Sequence, residues 1–127
     1  MCVHGISVSF HHHEAGGIVG FVGHGHVGAQ ATRYLPGQFL RVHDDRHDDE
    51  ARRYAYVLNL SRNWEVDWGG LLHFVDEDGG HRDAMMPRFN SLSLFKVPSK
   101  HFVGVVAPWA QEPRLAITGW WHAPPAA

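Results

Sequence analysis

Short apolar runs closed off by Gly, Pro, Asn and Asp constrain this chain more than any other feature. No stretch keeps a helical period long enough to bury one face of a helix. From Ala31 onward the runs follow one another closely. Residues 32–35 read as a short strand, and Pro36-Gly37 suits the two central positions of a type II turn. Residues 38–43 form the next strand and residues 44–52 a charged loop. Residues 53–60 are nearly all apolar or aromatic, so a buried strand is expected. Residues 61–67 are turn-rich, 71–75 read as a strand, and Asp76-Glu77-Asp78-Gly79-Gly80 as a hairpin loop. Residues 91–97 alternate, 101–106 are apolar after His101, 107–113 form a loop, and 114–121 make a final strand stopped by Pro124-Pro125. Many short strands at close spacing predict an all-β domain with little helix, its two antiparallel sheets facing each other as a jelly roll.

The first part of the chain reads differently. Residues 1–30 hold His11-His12-His13 and a glycine-rich stretch, a composition expected of a poorly ordered surface segment. The organised domain is therefore expected over residues 31–127. A chain of 127 residues is one domain long, and a formal charge of -2 gives no reason to expect nucleic acid or an anionic membrane as partner. The single Cys2 excludes a disulfide within the chain. No apolar run approaches the length of a spanning helix, and Met1-Cys2-Val3-His4 lacks the pattern of a signal peptide, so a cytoplasmic location is expected.

The chemistry concentrates at His43-Asp44-Asp45. On a strand, residues two apart share a face, so a strand continuing through Asp45 would turn His43 and Asp45 into one space and Asp44 away from it. An imidazole and a carboxylate together are two members of a 2-His-1-carboxylate triad, the donor set of non-haem Fe(II) sites. The second imidazole must come from a distant strand. His47 and His81 fall in predicted loops, His122 lies past the last strand, and His73 sits mid-strand. His101 stands at the entrance of the apolar strand 101–106, where rigid backbone would position it. Arg114 opens the final strand and shares a face with Ala116, Thr118 and Trp120; its guanidinium would suit a carboxylate.

Taken in order, these segments resemble the iron(II)- and 2-oxoglutarate-dependent oxygenases, in particular their prolyl-4-hydroxylase-like branch, which includes ribosomal prolyl hydroxylase-type proteins. The resemblance is carried by Tyr34-Leu35-Pro36-Gly37, His43-Asp44-Asp45, Tyr56-Val57-Leu58-Asn59, Trp68-Gly69-Gly70-Leu71-Leu72, Pro87-Arg88-Phe89-Asn90-Ser91-Leu92, Ser99-Lys100-His101-Phe102-Val103 and Arg114-Leu115-Ala116-Ile117-Thr118-Gly119-Trp120. It implies a double-stranded β-helix. It implies iron ligands at His43, Asp45 and His101, and pairing of Arg114 with the distal carboxylate of 2-oxoglutarate. It further implies that Tyr34, Tyr54, Tyr56 and Thr118 approach the cosubstrate and that Trp120 lines the substrate pocket. The reaction implied is hydroxylation of a C–H bond, of a prolyl residue in a protein, with 2-oxoglutarate and O2 consumed and succinate and CO2 released. Ascorbate would be an accessory reductant. A free amino acid or small metabolite is the alternative substrate, and a non-catalytic metal-binding β-sandwich the alternative role. An exposed apolar sheet face would favour a homodimer.

Overall fold

The computed structural model of the chain describes residues 6–13, 16–23, 28–46 and 51–122, with side chains from Ala29 onward. His47 and Pro124-Pro125 lie outside these residues. The strands are β1 (Ile6–His13), β2 (Gly16–Gly23), β3 (Gly28–Tyr34), β4 (Leu40–His43), β5 (Arg52–Asn59), β6 (Leu72–Val75), β7 (His81–Met85), β8 (Ser91–Lys96), β9 (His101–Val103) and β10 (Arg114–His122). One 3-10 turn, Val66–Trp68, is the helical element among the described residues.

The strands form a six-stranded sheet in the order β1-β2-β3-β10-β5-β8 and a four-stranded sheet in the order β4-β9-β6-β7. Every named pairing is antiparallel. The two facing antiparallel sheets expected from the strand pattern form, and with them the double-stranded β-helix that the resemblance implies. Alternation decides the inner faces: Ala55, Val57 and Asn59 of β5 are buried, as are Arg114 and Ala116 of β10 and Leu72 and Phe74 of β6. Val57, Leu72, Phe74 and Ala116 make one core cluster between the sheets. A second gathers Tyr34, Trp64, Trp68, Val103 and Val106. Each fully buried side chain of this size contributes about 1.5–3 kcal/mol.

The Pro36-Gly37 turn forms as expected, with Gly37 at φ 87° and the Gln38 amide donating to the Leu35 carbonyl at 2.9 Å. Other expectations are corrected. The strand beginning at residue 38 starts only at Leu40, and the run 101–106 breaks after Val103. Beyond the break the wholly buried Val106 straps the molecule together: its carbonyl accepts from the Gly37 amide at 2.8 Å and its amide donates to the Gln38 carbonyl at 3.0 Å. At Gly69, φ 68°, any Cβ would overlap the Val105 carbonyl oxygen, so only glycine fits beneath this strap. His81 lies not in a loop but at the start of β7, and His122 ends β10 rather than following it. Within residues 1–30, β1 and β2 form a hairpin that joins the large sheet through β3.

Candidate metal centre

Two strands of the small sheet bring the imidazoles together. His43 ends β4, His101 opens β9, and the two are direct partners across the antiparallel pair. Their ring centroids are 4.2 Å apart at an interplanar angle of 60°. Each ring is tied to its own chain: Nδ1–H of His43 donates to the Arg41 carbonyl at 2.7 Å, and Nδ1–H of His101 to the Ser99 carbonyl at 2.6 Å. A carbonyl oxygen only accepts, so both Nδ1 atoms carry hydrogen and both Nε2 atoms face the shared space. Phe95 packs against the His101 ring with centroids 4.7 Å apart, giving that side an apolar wall.

Asp45 closes the triangle. Its Oδ1 lies 3.2 Å from His43 Nε2 and its Oδ2 3.3 Å from His101 Nε2. The ligand atoms of the three residues all lie within 4.8 Å of one another. The route differs from the expected one. β4 stops at His43, and Asp45 has φ 66°, a left-handed backbone that turns the carboxylate back over the imidazoles. Strand alternation through Asp45 is therefore not the reason for the convergence. Asp44 faces outward and holds Arg46, with Oδ2 2.7 Å from its Nη2. Exposed pairs of this kind contribute little, so Asp44→Ala is expected to leave metal affinity within about twofold of the parent in a Co(II) titration.

The electrostatics are those of a site awaiting a cation. Burial alone would raise the Asp45 carboxyl, but hydrogen bonds and charge from His101 and His43 outweigh it and hold it well below the usual carboxylate range. Burial also opposes charge on His43, yet Asp45, the Arg41 carbonyl and Asp44 together raise its pKa. In the metal-free protein the raised His43 adds stability that is complete below about pH 6.5 and is lost as pH climbs through its folded value. The depressed Asp45 adds stability present above about pH 3.9 and lost only in stronger acid. Melting in chelator should therefore peak between about pH 4 and 6.5 and decline as pH rises further. Metal uptake should run the other way, because a proton on His43 competes with the metal. Melting and affinity that both stay flat over this range would contradict the arrangement.

Arg114 supplies the second charge. It is 2% exposed, and its Nε–H donates to the Gly70 carbonyl. Its Cζ lies 5.6 Å from the Tyr34 ring centroid. Burial lowers its pKa to about 10, partly offset by Tyr34, so it stays charged at neutral pH. Among the described residues no carboxylate comes within ion-pair distance of it. Gly70 makes room: a Cβ there would sit 3.0 Å from Arg114 Cδ and 3.2 Å from the Trp64 ring. Arg114, Tyr34, Thr118 and Trp120 line the same cavity as His43, Asp45 and His101. Two buried polar atoms in that lining, Thr118 Oγ1 and Trp120 Nε1, have no hydrogen-bond partner.

The sequence profile described as the 2OG-Fe(II) oxygenase superfamily matches residues 29–122, most of the chain. The chain belongs to this superfamily. It is 34% identical over 115 residues to the prolyl 3-hydroxylase sudestada1 of Drosophila melanogaster, covering 76% of this chain and 20% of that protein. It is 35% identical over 104 residues to the prolyl 3-hydroxylase OGFOD1 of Mus musculus, covering 77% and 19%. The crystal structure of a Pseudomonas putida prolyl-4-hydroxylase superposes with a TM-score of 0.66 at 30% identity, over 78% of this chain and 52% of that one. A Trichoplax adhaerens prolyl hydroxylase, in complex with a hypoxia inducible factor oxygen degradation domain peptide fragment, gives 0.63 at 25% identity, over 75% and 43%. The chain thus spans about a fifth of these curated relatives and about half of these solved structures.

The family implies Fe(II), 2-oxoglutarate and O2, and the residues present fit them. Two imidazole nitrogens and a carboxylate converge with one side left open, the donor set that suits non-haem iron. A buried guanidinium with no carboxylate partner among the described residues shares the cavity with two orphaned polar atoms, a lining that suits an anionic, oxygen-rich cosubstrate. The two predicted tyrosines of β5 are placed differently from each other. On β5 the inward residues are Ala55 and Val57. The Tyr56 ring therefore packs on the outer face against Trp121, with centroids 5.0 Å apart, although Tyr56 still borders the cavity. Tyr54 is 41% exposed and does not line the cavity. His73 pairs with His81, Nδ1 to Nε2 3.0 Å, away from the centre. Sequence reasoning missed Gln30 and Thr32 in the cavity lining. Gln30 and Thr32 are legible from alternation, since both share the inward face of β3 with Tyr34.

Proposed function

We propose that this chain is the catalytic unit of a 2-oxoglutarate-dependent dioxygenase that hydroxylates a prolyl residue in a protein. The single observation that carries the reading is the shared cavity, lined both by the His-Asp-His donor set and by the buried Arg114, which has no carboxylate partner among the described residues. His43, Asp45 and His101 would hold Fe(II), and Arg114, assisted by Tyr34 and Thr118, would take the distal carboxylate of 2-oxoglutarate. When bound, iron and 2-oxoglutarate would together activate O2 for C–H hydroxylation, one oxygen atom going into the hydroxyl and the other into succinate, with CO2 released.

The chain's own residues do the rest. The Nδ1–H bonds hold each imidazole so that Nε2 faces inward. Phe74, Phe95, Leu72 and Val103 make the apolar surround that excludes water. Arg114 binds the end of the cosubstrate remote from the reacting atoms, which fixes the orientation of its other end. A prolyl substrate is supported by similarity to prolyl hydroxylases, one of them seen with a peptide.

The test is anaerobic addition of Fe(II) and 2-oxoglutarate, expected to give a weak charge-transfer band, followed by air and proline-containing peptides. A gain of one oxygen on proline, matched by succinate, is the expected result. The position on the ring, read by NMR, separates 3- from 4-hydroxylation. Succinate without peptide oxidation would move the substrate to a small molecule. No charge-transfer band would overturn the catalytic reading.

A further inference from the structure

Arg52 opens β5 and touches the centre from outside. Its Nη1–H donates to the backbone carbonyl of Asp45 at 3.1 Å. Its guanidinium carbon lies 3.7 Å from the centroid of the Trp120 ring, a close cation–π stack. A bulge makes both contacts compatible. The β5–β10 register runs Trp120 opposite Ala55 and Trp121 opposite Tyr54, then shifts so that His122 faces Arg52. Strict alternation from the inward Ala55 would put Arg52 on the outer face with Tyr54; the extra residue turns it inward over Trp120.

The point it holds is the least regular in the centre. Asp45 has a left-handed backbone, and its carboxylate reaches both imidazoles only because of that turn. A planar guanidinium stacked on an indole keeps its N–H fork in one plane, aimed at the Asp45 carbonyl. Trp120 in turn has one ring face covered, while its unpartnered Nε1 borders the cavity. We propose that Arg52 is a positioning residue for the metal: it fixes the Asp45 turn, is itself fixed by Trp120, and so makes Trp120 contribute to metal affinity without touching the metal. The inference rests on reading the His43-Asp45-His101 cluster as a divalent metal site.

Co(II) titration followed by visible absorption, with melting of the metal-free protein in chelator alongside, tests it without turnover. Arg52→Ala should weaken Co(II) binding by about tenfold, the lower end for residues that orient ligands. Trp120→Leu should weaken it less, and in the Arg52→Ala background should weaken it no further. A merely structural role would lower metal-free melting and leave affinity unmoved. Parent-like affinity in Arg52→Ala, or losses that multiply in the double variant, would overturn the proposal. Should Arg52→Ala not fold, Arg52→Lys keeps length and charge without the planar fork, and parent-like affinity there would overturn it equally. Parent protein that takes up no Co(II), or an Asp45→Ala variant that binds it as well as the parent does, overturns the metal reading itself and is thereby told apart.

Discussion

Asp45→Ala should abolish metal binding and succinate formation together while leaving a folded β domain. The carboxylate is the anionic donor of the cluster and sits between the two Nε2 atoms. Without it the two imidazoles remain paired across β4 and β9, but two neutral donors hold a divalent ion poorly. Changes to residues that merely orient ligands cost about 10–100-fold, so loss of a ligand should exceed a hundredfold in affinity. Asp45→Asn sharpens the result. Asparagine tolerates the left-handed backbone as aspartate does, so the turn survives and only the charge is lost. Calorimetric titration with Co(II) should show both variants failing to bind, with Asp45→Asn still folded but its metal-free melting lowered by loss of the carboxylate's contacts with His43 and His101. Retained binding in Asp45→Asn would mean that the turn, and not the carboxylate, matters.

The second large effect falls on the cosubstrate. Arg114→Met should raise the KM for 2-oxoglutarate by roughly a hundredfold, about 3 kcal/mol, within the range for truncating one partner of a buried charge pair. Its effect on the ligand-free protein should be opposite in character. Arg114 is buried without a counter-ion among the described residues, and a buried cation lacking its partner costs several kcal/mol that an apolar side chain of similar length does not. Ligand-free melting should therefore not fall, despite loss of the bond to Gly70. With metal present, 2-oxoglutarate should raise the melting temperature of the parent in a concentration-dependent way and leave Arg114→Met unmoved. Equal stabilisation of both proteins by 2-oxoglutarate would remove Arg114 from the cosubstrate site.

How much of this could be read from residues alone varies with the physics of each segment. On β10, strict alternation put Arg114, Ala116, Thr118 and Trp120 on one face, and the structure turns that face inward. On β5, alternation was masked because apolar side chains cover both faces; the register that buries Ala55 and Val57 sends the tyrosines outward. β7 gave no signal because all five of its residues are exposed, so no apolar period marks it. β2 was hidden by its glycines, which carry little strand preference. Asp45 was reached through alternation, yet a left-handed turn delivers it, and no pattern in Asp44-Asp45-Arg46 announces that turn. Arg52 depended on a bulge, which shifts faces without a fixed sequence mark. Gly69-Gly70 was legible as a motif, while its reasons, the Val105 strap and the room for Arg114, needed coordinates.

The pairing of β4 with β9 has a wider consequence. Each imidazole is held by a carbonyl two residues back in its own segment, so Arg41–His43 and Ser99–His101 are self-contained cassettes whose relative position depends on the pairing of His43 with His101. A slip of one residue would reverse the face of every side chain on the moving strand and dismantle the donor set at a stroke. Insertions in the hairpins far from this pair leave the register untouched. The scaffold can therefore vary its loops widely, and with them the substrates it admits, provided that this single alignment is kept.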